Sequence, residues 1–325
     1  MSNIETTPTE VTCTPRQSAG TEILMPRSVP LGGARAMPVS RTLPQRQRSL
    51  LGAWCAVDHY GPLDVPRTGG MDVPPHPHTG LQTVSWLFHG EIEHRDSAGV
   101  RALIRPGELN VMTAGAGICH SEVSTPASAI VEGFQLWVAL PNSDRNTARA
   151  FEHYVPEPIS RPGVTIRVFI GELPGVTGGR SPVHTFTPLL GAQIDLASGA
   201  AIVLDLDPLF EHGVLAGEGS VAVDGVILSS GALAYHGCGR TSLRVINAGA
   251  DNARVLLLGG TPFTEELVMW WNFIGRSHQD IVTYRELWQR HDERFGAVDG
   301  YRGAGSRLPA PPLPNVTLRP RGASG

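Results

Sequence analysis

The chain has 325 residues, 41% hydrophobic and 17% charged, with 38 glycines and 27 prolines, which suits two domains of short strands and tight turns better than a helical protein. Its net charge of −4 offers no basic field for direct nucleic-acid binding, and all 26 Lys+Arg residues are arginine, which excludes a phosphate-loop lysine, a Schiff-base lysine and a pyridoxal anchor. Cys13, Cys55, Cys119 and Cys238 lack CxxC spacing and read as reduced thiols, and the N-terminus has neither a charged nor an apolar leader region, so a cytoplasmic protein without a membrane segment is expected.

Residues 1–20 are polar and Thr-rich and read as a tail. From residue 21 to about 155, turn signals at His89-Gly90, Ser97-Ala98-Gly99, Pro106-Gly107 and Ala114-Gly115-Ala116-Gly117 separate short β-rich segments. These predict an antiparallel barrel. Within it, "PPHPHTG" places His76 and His78 two residues apart, and "GICHSEV" does the same for His120 and Glu122. Residues i and i+2 of a strand share a face, and Pro77 favours extended backbone between the two histidines. Two such pairs meeting across a barrel offer three imidazoles and a carboxylate, a set suited to one mononuclear divalent first-row metal, with zinc among the alternatives. Glu122, the only carboxylate of the set, is also the candidate proton acceptor.

His59, His89 and His94 read as outward-facing or supporting residues, because none shows a ligand-like partner at i±2. Cys119 should turn away from His120 and pack, and Trp86, Trp137, Trp270 and Trp271 read as core.

A second strand series fills residues 156–265. Its "LAGEGSVAVDGVILSSGALAYH" weakly echoes the segment from Leu87 to Met112, which suggests tandem barrels of the jelly-roll type. His212 and His236 stand alone in it, so this barrel is expected to be metal-free. Residues 266–302 should cover the barrels with one short helix, capped at Asp280, presenting Ile281, Tyr284, Trp288 and Phe295, and stopped by Gly296. Residues 303–325 are Pro/Gly-rich and read as a second tail, with the charges around Arg319 solvated.

"PHPHTGLQTVSWLFHGEIEHRDSAG", "PGELNVMTAGAGICHSE" and the upstream "RTLPQRQRSLLGAWCAVDHYGP" resemble the pirin family, bicupins of the cupin superfamily. The resemblance is strong from Arg41 to Pro141 and weaker through the second barrel. It implies an all-β bicupin fold and one metal, most often Fe2+ with Mn, Ni, Cu or Zn as alternatives, on His76, His78, His120 and Glu122. It further implies either a dioxygenase that cleaves a flavonol such as quercetin with O2, or a metal-switched regulator that binds a transcription factor or other protein partner. A monomer is expected. Two departures bear on the substrate: Gln82 stands where many pirins have glutamate, and "TEELVMWWNFIGRSHQDIV" replaces the family's usual wording.

Overall fold

Strands are the main regular structure: outer ones such as Ala201–Asp205 alternate exposed and buried positions, while inner ones such as Leu109–Thr113 are buried throughout. The computed structural model describes residues 20–31, 37–303 and 307–322, so nearly all of the expected N-terminal tail, Cys13 included, lies outside the described residues. The strands form two sets of sheets. In the first, seven strands run in the order 150–154, 109–113, 81–89, 130–139, 54–64, 37–43 and 27–31, alongside four in the order 72–78, 118–124, 92–96 and 101–104. In the second, seven run in the order 22–24, 233–236, 211–218, 253–260, 189–196, 164–170 and 159–161, alongside four in the order 201–205, 242–247, 221–223 and 226–228. The two orders match position for position. The faint sequence echo is therefore a repeat in topology, and the fold is the expected all-β bicupin. One strand crosses over: Glu22–Leu24, expected in the first barrel, pairs with Leu233–Tyr235 of the second.

The larger sheets of the two barrels pack against each other. Trp86 stacks on Phe169 with ring centroids 4.4 Å apart and donates its indole N–H to Gln193 Oε1 at 2.7 Å, while Trp54 donates to the Gly259 carbonyl at 3.0 Å. Gly191 is needed for this approach, because a Cβ there would lie 2.3 Å from the Phe169 ring. Ile166, Ile194, Leu204, Val245 and Leu257 fill the second barrel with aliphatic side chains. The first barrel has an apolar floor of Val39, Tyr60, Val73, Leu87 and Val131. Burying each large apolar side chain contributes about 1.5–3 kcal/mol relative to exposure.

The covering helix runs His278–Gln289, earlier at both ends than the sequence suggests. Ser277 is its N-cap, and Asp280 is the third helical residue, returning a hydrogen bond to the cap in a capping box. Ile281, Tyr284 and Trp288 are buried as expected, whereas Phe295 joins their cluster from the turn beyond the helix and Gly296 is not its stop. A further four-residue helix, Val65–Thr68, went unread. Among the described residues no helix is long and apolar enough to cross a membrane, and Cys55, Cys119 and Cys238 are free thiols.

The expected C-terminal tail is instead a strap. Leu308 N–H donates to the Pro75 carbonyl at 2.9 Å, Trp288 donates to the Leu308 carbonyl at 2.8 Å, and Leu267 and Arg321 exchange backbone hydrogen bonds of 2.7 and 2.8 Å. Backbone groups supply these contacts, so the sequence of the segment carried no periodic trace of them. Arg319, as expected, is exposed.

Candidate metal centre

Strand Asp72–His78 lies between no other pair of ladders; it is the edge of the four-stranded sheet, hydrogen-bonded to Ile118–Ser124. His76 sits directly opposite His120 in that ladder, which delivers the two pairs singled out in the sequence to one place. The register shifts between His120 and Glu122, where Glu122 comes to face Val73. Pro74 and Pro75 lie at that bulge, and proline, having no N–H for the ladder, is at home there. On its other side Ile118–Ser124 pairs regularly with Ile92–Asp96, placing Asp96 opposite His120 and His94 opposite Glu122.

His76, His78 and His120 are fully buried and Glu122 is 1% exposed. The His76 and His78 rings meet edge to face and His120 is tilted against both, with centroids 4.3 to 5.0 Å apart. His76 Nδ1 donates to the Pro74 carbonyl at 2.8 Å and His78 Nδ1 donates to the Asn272 carbonyl at 3.1 Å. A carbonyl accepts only, so both rings carry their proton on Nδ1 and turn an Nε2 lone pair inward. His78 Nε2 lies 3.1 Å from His120 Nε2, and His76 Nε2 has no hydrogen-bond partner. Buried lone pairs aimed at one another need a cation or a proton between them.

Ligand atoms of His76, His78 and His120 lie within 4.8 Å of one another, and so do those of His94, His120 and Glu122. His120 belongs to both groups, so His76 and His78 lie on one side of it and Glu122 falls in the other group, with His94. Of the two roles the sequence allows His94, outward-facing or supporting, the buried ring takes the supporting one, bonded to Asp96 and facing His120. The missed signal was Asp96, an i+2 partner of the same spacing as the other pairs. His59 does play a supporting part, bonded to Glu132 at 3.1 Å and stacked on Phe134, while His89 meets Glu218 at the exposed seam between the barrels.

Asn272 was also missed. It lies in the turn of the hairpin Val268–Trp270/Phe273–Gly275, within the segment that departs from the family wording. Trp271 takes a left-handed φ of 53°, costly for a bulky residue, in the turn that brings the Asn272 carbonyl to His78. Gly80, with φ of 69°, lets the hairpin close in, since a Cβ there would stand 2.6 Å from the Ile274 carbonyl oxygen. Gln82 is buried and donates to Thr113 Oγ1 at 3.0 Å. Cys119 packs with Trp270 and Phe273 on the far side of its strand, as expected.

Burial pushes His76, His78 and His120 well below the ordinary histidine range, and lowers His212 to about 4. The folded values are depressed, so these groups stabilise the fold above their unfolded value of 6.5 and the contribution is lost as pH falls. Each proton taken up on unfolding adds about 1.4 kcal/mol per pH unit to the slope. The metal-free protein should thus keep its Tm from pH 8 to 7 and lose it steadily below about 6.5. A Tm that stays level down to pH 5 would contradict neutral buried imidazoles.

In the second barrel the strands equivalent to those of His76, His78, His120 and Glu122 are Ala201–Asp205 and Ser242–Asn247, and they bury Ile202, Leu204, Leu243 and Val245 instead. His212 and His236 pair with each other on the larger sheet, where Gln82 and Thr113 pair in the first barrel. Substituting either with alanine should leave metal content unchanged by elemental analysis. Two metals per chain, falling to one in His236→Ala, would contradict this.

Comparison with known proteins gives the same outline. The family description "Pirin" matches residues 36–138 and "Pirin C-terminal cupin domain" matches residues 191–296. The Pseudomonas aeruginosa protein named "Putative quercetin 2,3-dioxygenase PA1205" is 44% identical over 89% of each chain. A pirin-like protein of Caulobacter vibrioides is 34% identical over 77% of this chain and 88% of its own. The crystal structure of a quercetin 2,3-dioxygenase from Acinetobacter baumannii, 38% identical, superposes with a TM-score of 0.85 over 92% of this chain and 97% of its own.

Proposed function

This chain belongs to the pirin family, and we propose that it is a metal-dependent dioxygenase that cleaves a flavonol of the quercetin type with O2. The observation that carries the proposal is the inward convergence of His76, His78 and His120, two of them fixed from behind by carbonyls, with Glu122 beside His120. These four residues would hold the metal. The family resemblance points to Fe2+ first, and by donor type imidazoles with one carboxylate also suit Mn, Ni, Cu or Zn. When bound, such an ion supplies Lewis acidity toward an oxygen donor and an open position for O2.

The chain's own residues do the rest. Glu122 accepts the proton of the flavonol 3-hydroxyl, which makes the ring electron-rich enough to react with O2. Burial, reinforced by the Glu122 charge, raises the Tyr60 phenol well above its usual range, so Tyr60 stays a neutral neighbour of that carboxylate. The Trp137 ring lies edge-on to His78, 5.1 Å between centroids, and screens the imidazole from water. Trp137 also lines a cavity of about 140 Å³ with Trp270, Trp271, Met269 and the strap residues Leu318 and Arg321, and none of His76, His78, His120 and Glu122 lines it. Drug-sized ligands occupy roughly 300–1,000 Å³, so a three-ring flavonol reaches these four residues only if Trp137 and the strap both move aside.

Protein loaded with Fe2+ or Mn2+ should bleach quercetin in air and release CO, and metal-free protein should not. Metal-loaded protein that leaves the quercetin absorbance unchanged would reject the enzyme reading for this substrate and put the metal-switched regulator with a protein partner ahead.

A further inference from the structure

The geometry points to Asp96 and His94 as positioning residues that set the tautomer of His120 and so aim its lone pair at the metal. The inference rests on the metal reading above. Asp96 is buried, its side chain without solvent exposure, and its Oδ1 accepts the backbone N–H groups of Ala98 at 2.8 Å and Val100 at 3.1 Å. That turn fixes the carboxylate. Its Oδ2 lies 3.1 Å from His94 Nε2, and His94 Nδ1 lies 3.4 Å from His120 Nδ1.

With His94 neutral, one proton arrangement satisfies this row. An ionised carboxylate accepts and cannot donate, so His94 carries its proton on Nε2. His94 Nδ1 is then an acceptor, and the proton between the two rings belongs to His120 Nδ1. His120 Nε2 is left as a bare lone pair, pointing at His78 Nε2. For His76 and His78 a backbone carbonyl does this job. For His120 no carbonyl is in that place, and a histidine backed by a carboxylate takes over. The second possible grouping, with His94 itself as a ligand beside His120 and Glu122, would require His94 to give up one of these two hydrogen bonds.

Asp96→Asn is the discriminating variant. Its Oδ1 still accepts from the turn, but its amide donates to His94 Nε2, which moves the His94 proton to Nδ1 and leaves His120 without an acceptor there. Nitrogen-15 NMR of the metal-free wild-type protein should show His94 protonated on Nε2 and His120 on Nδ1, both reversed in Asp96→Asn. Zn2+ affinity, measured by competition with a chelator, should fall by about 10- to 100-fold, with the metal-free melting temperature unchanged. His94→Gln, whose amide oxygen can accept from His120, should bind Zn2+ more tightly than His94→Leu. The inference is overturned if the wild-type tautomers are the opposite ones, if Asp96→Asn binds Zn2+ like the wild type, or if His94 shows a coordination shift on Zn2+ addition. Wild-type protein that binds no Zn2+ would instead count against the metal reading, and the tautomers of the metal-free protein would still decide the role of Asp96.

Discussion

His78→Ala and His120→Ala are each expected to purify largely without metal, with retention reduced tenfold or more. Both Nε2 atoms sit at the point of convergence, 3.1 Å apart, so either truncation removes a donor and leaves a void beside it. The loss should be specific. His78 is also held by the Asn272 carbonyl and His120 by His94, so the alanine variants leave one buried partner unsatisfied each and should lose some stability as well. Metal per chain by elemental analysis, with the melting temperature recorded alongside, separates the two effects. Near-stoichiometric metal in both folded variants would remove these histidines from the ligand set.

The second large effect is expected at Glu122. Glu122→Gln keeps the side chain's length and shape at a site that is 1% exposed, and it retains an oxygen donor, so the variant should fold and keep part of its metal. An amide has no useful basicity. Turnover of quercetin should therefore fall by about 100-fold or more, the usual scale for losing a general base. Gln82 cannot take over, because it too is an amide and is committed to Thr113. A Glu122→Gln protein with undiminished kcat at equal metal content would assign the proton to another group.

Much of this site was legible because strands repeat with period two. HxH and HxE announce a shared face whatever the surrounding chain does, and His76, His78, His120 and Glu122 indeed meet at one sheet. His94 and Asp96 obey the same period, and the sequence allows His94 a supporting role, but which ring it backs is set by the ladder between their strands and not by spacing along the chain. Asn272 was illegible in principle, since its contribution is a backbone carbonyl placed by a turn, and every residue has a carbonyl. The strap escaped for a related reason: it is held by main-chain hydrogen bonds to Pro75, Leu267 and the helix, which leave no pattern in a Pro-rich segment. The two-barrel fold was visible in turn spacing, yet Glu22–Leu24 joins the second barrel although the chain reaches it before the first. Sequence proximity carries little information about which sheet an edge strand completes. At the helix, Asp280 had the right chemistry for a cap but serves it from the third helical position, as the partner of Ser277.

Oxygen-18 gas tests the central claim most directly. Metal-loaded protein given quercetin under labelled O2 should place both labelled atoms in the organic product, with CO released in step with O2 consumed, and Glu122→Gln at equal metal content should do so far more slowly. Label recovered in water or hydrogen peroxide, or quercetin lost equally fast with the metal-free protein, would contradict a dioxygenase centred on His76, His78, His120 and Glu122.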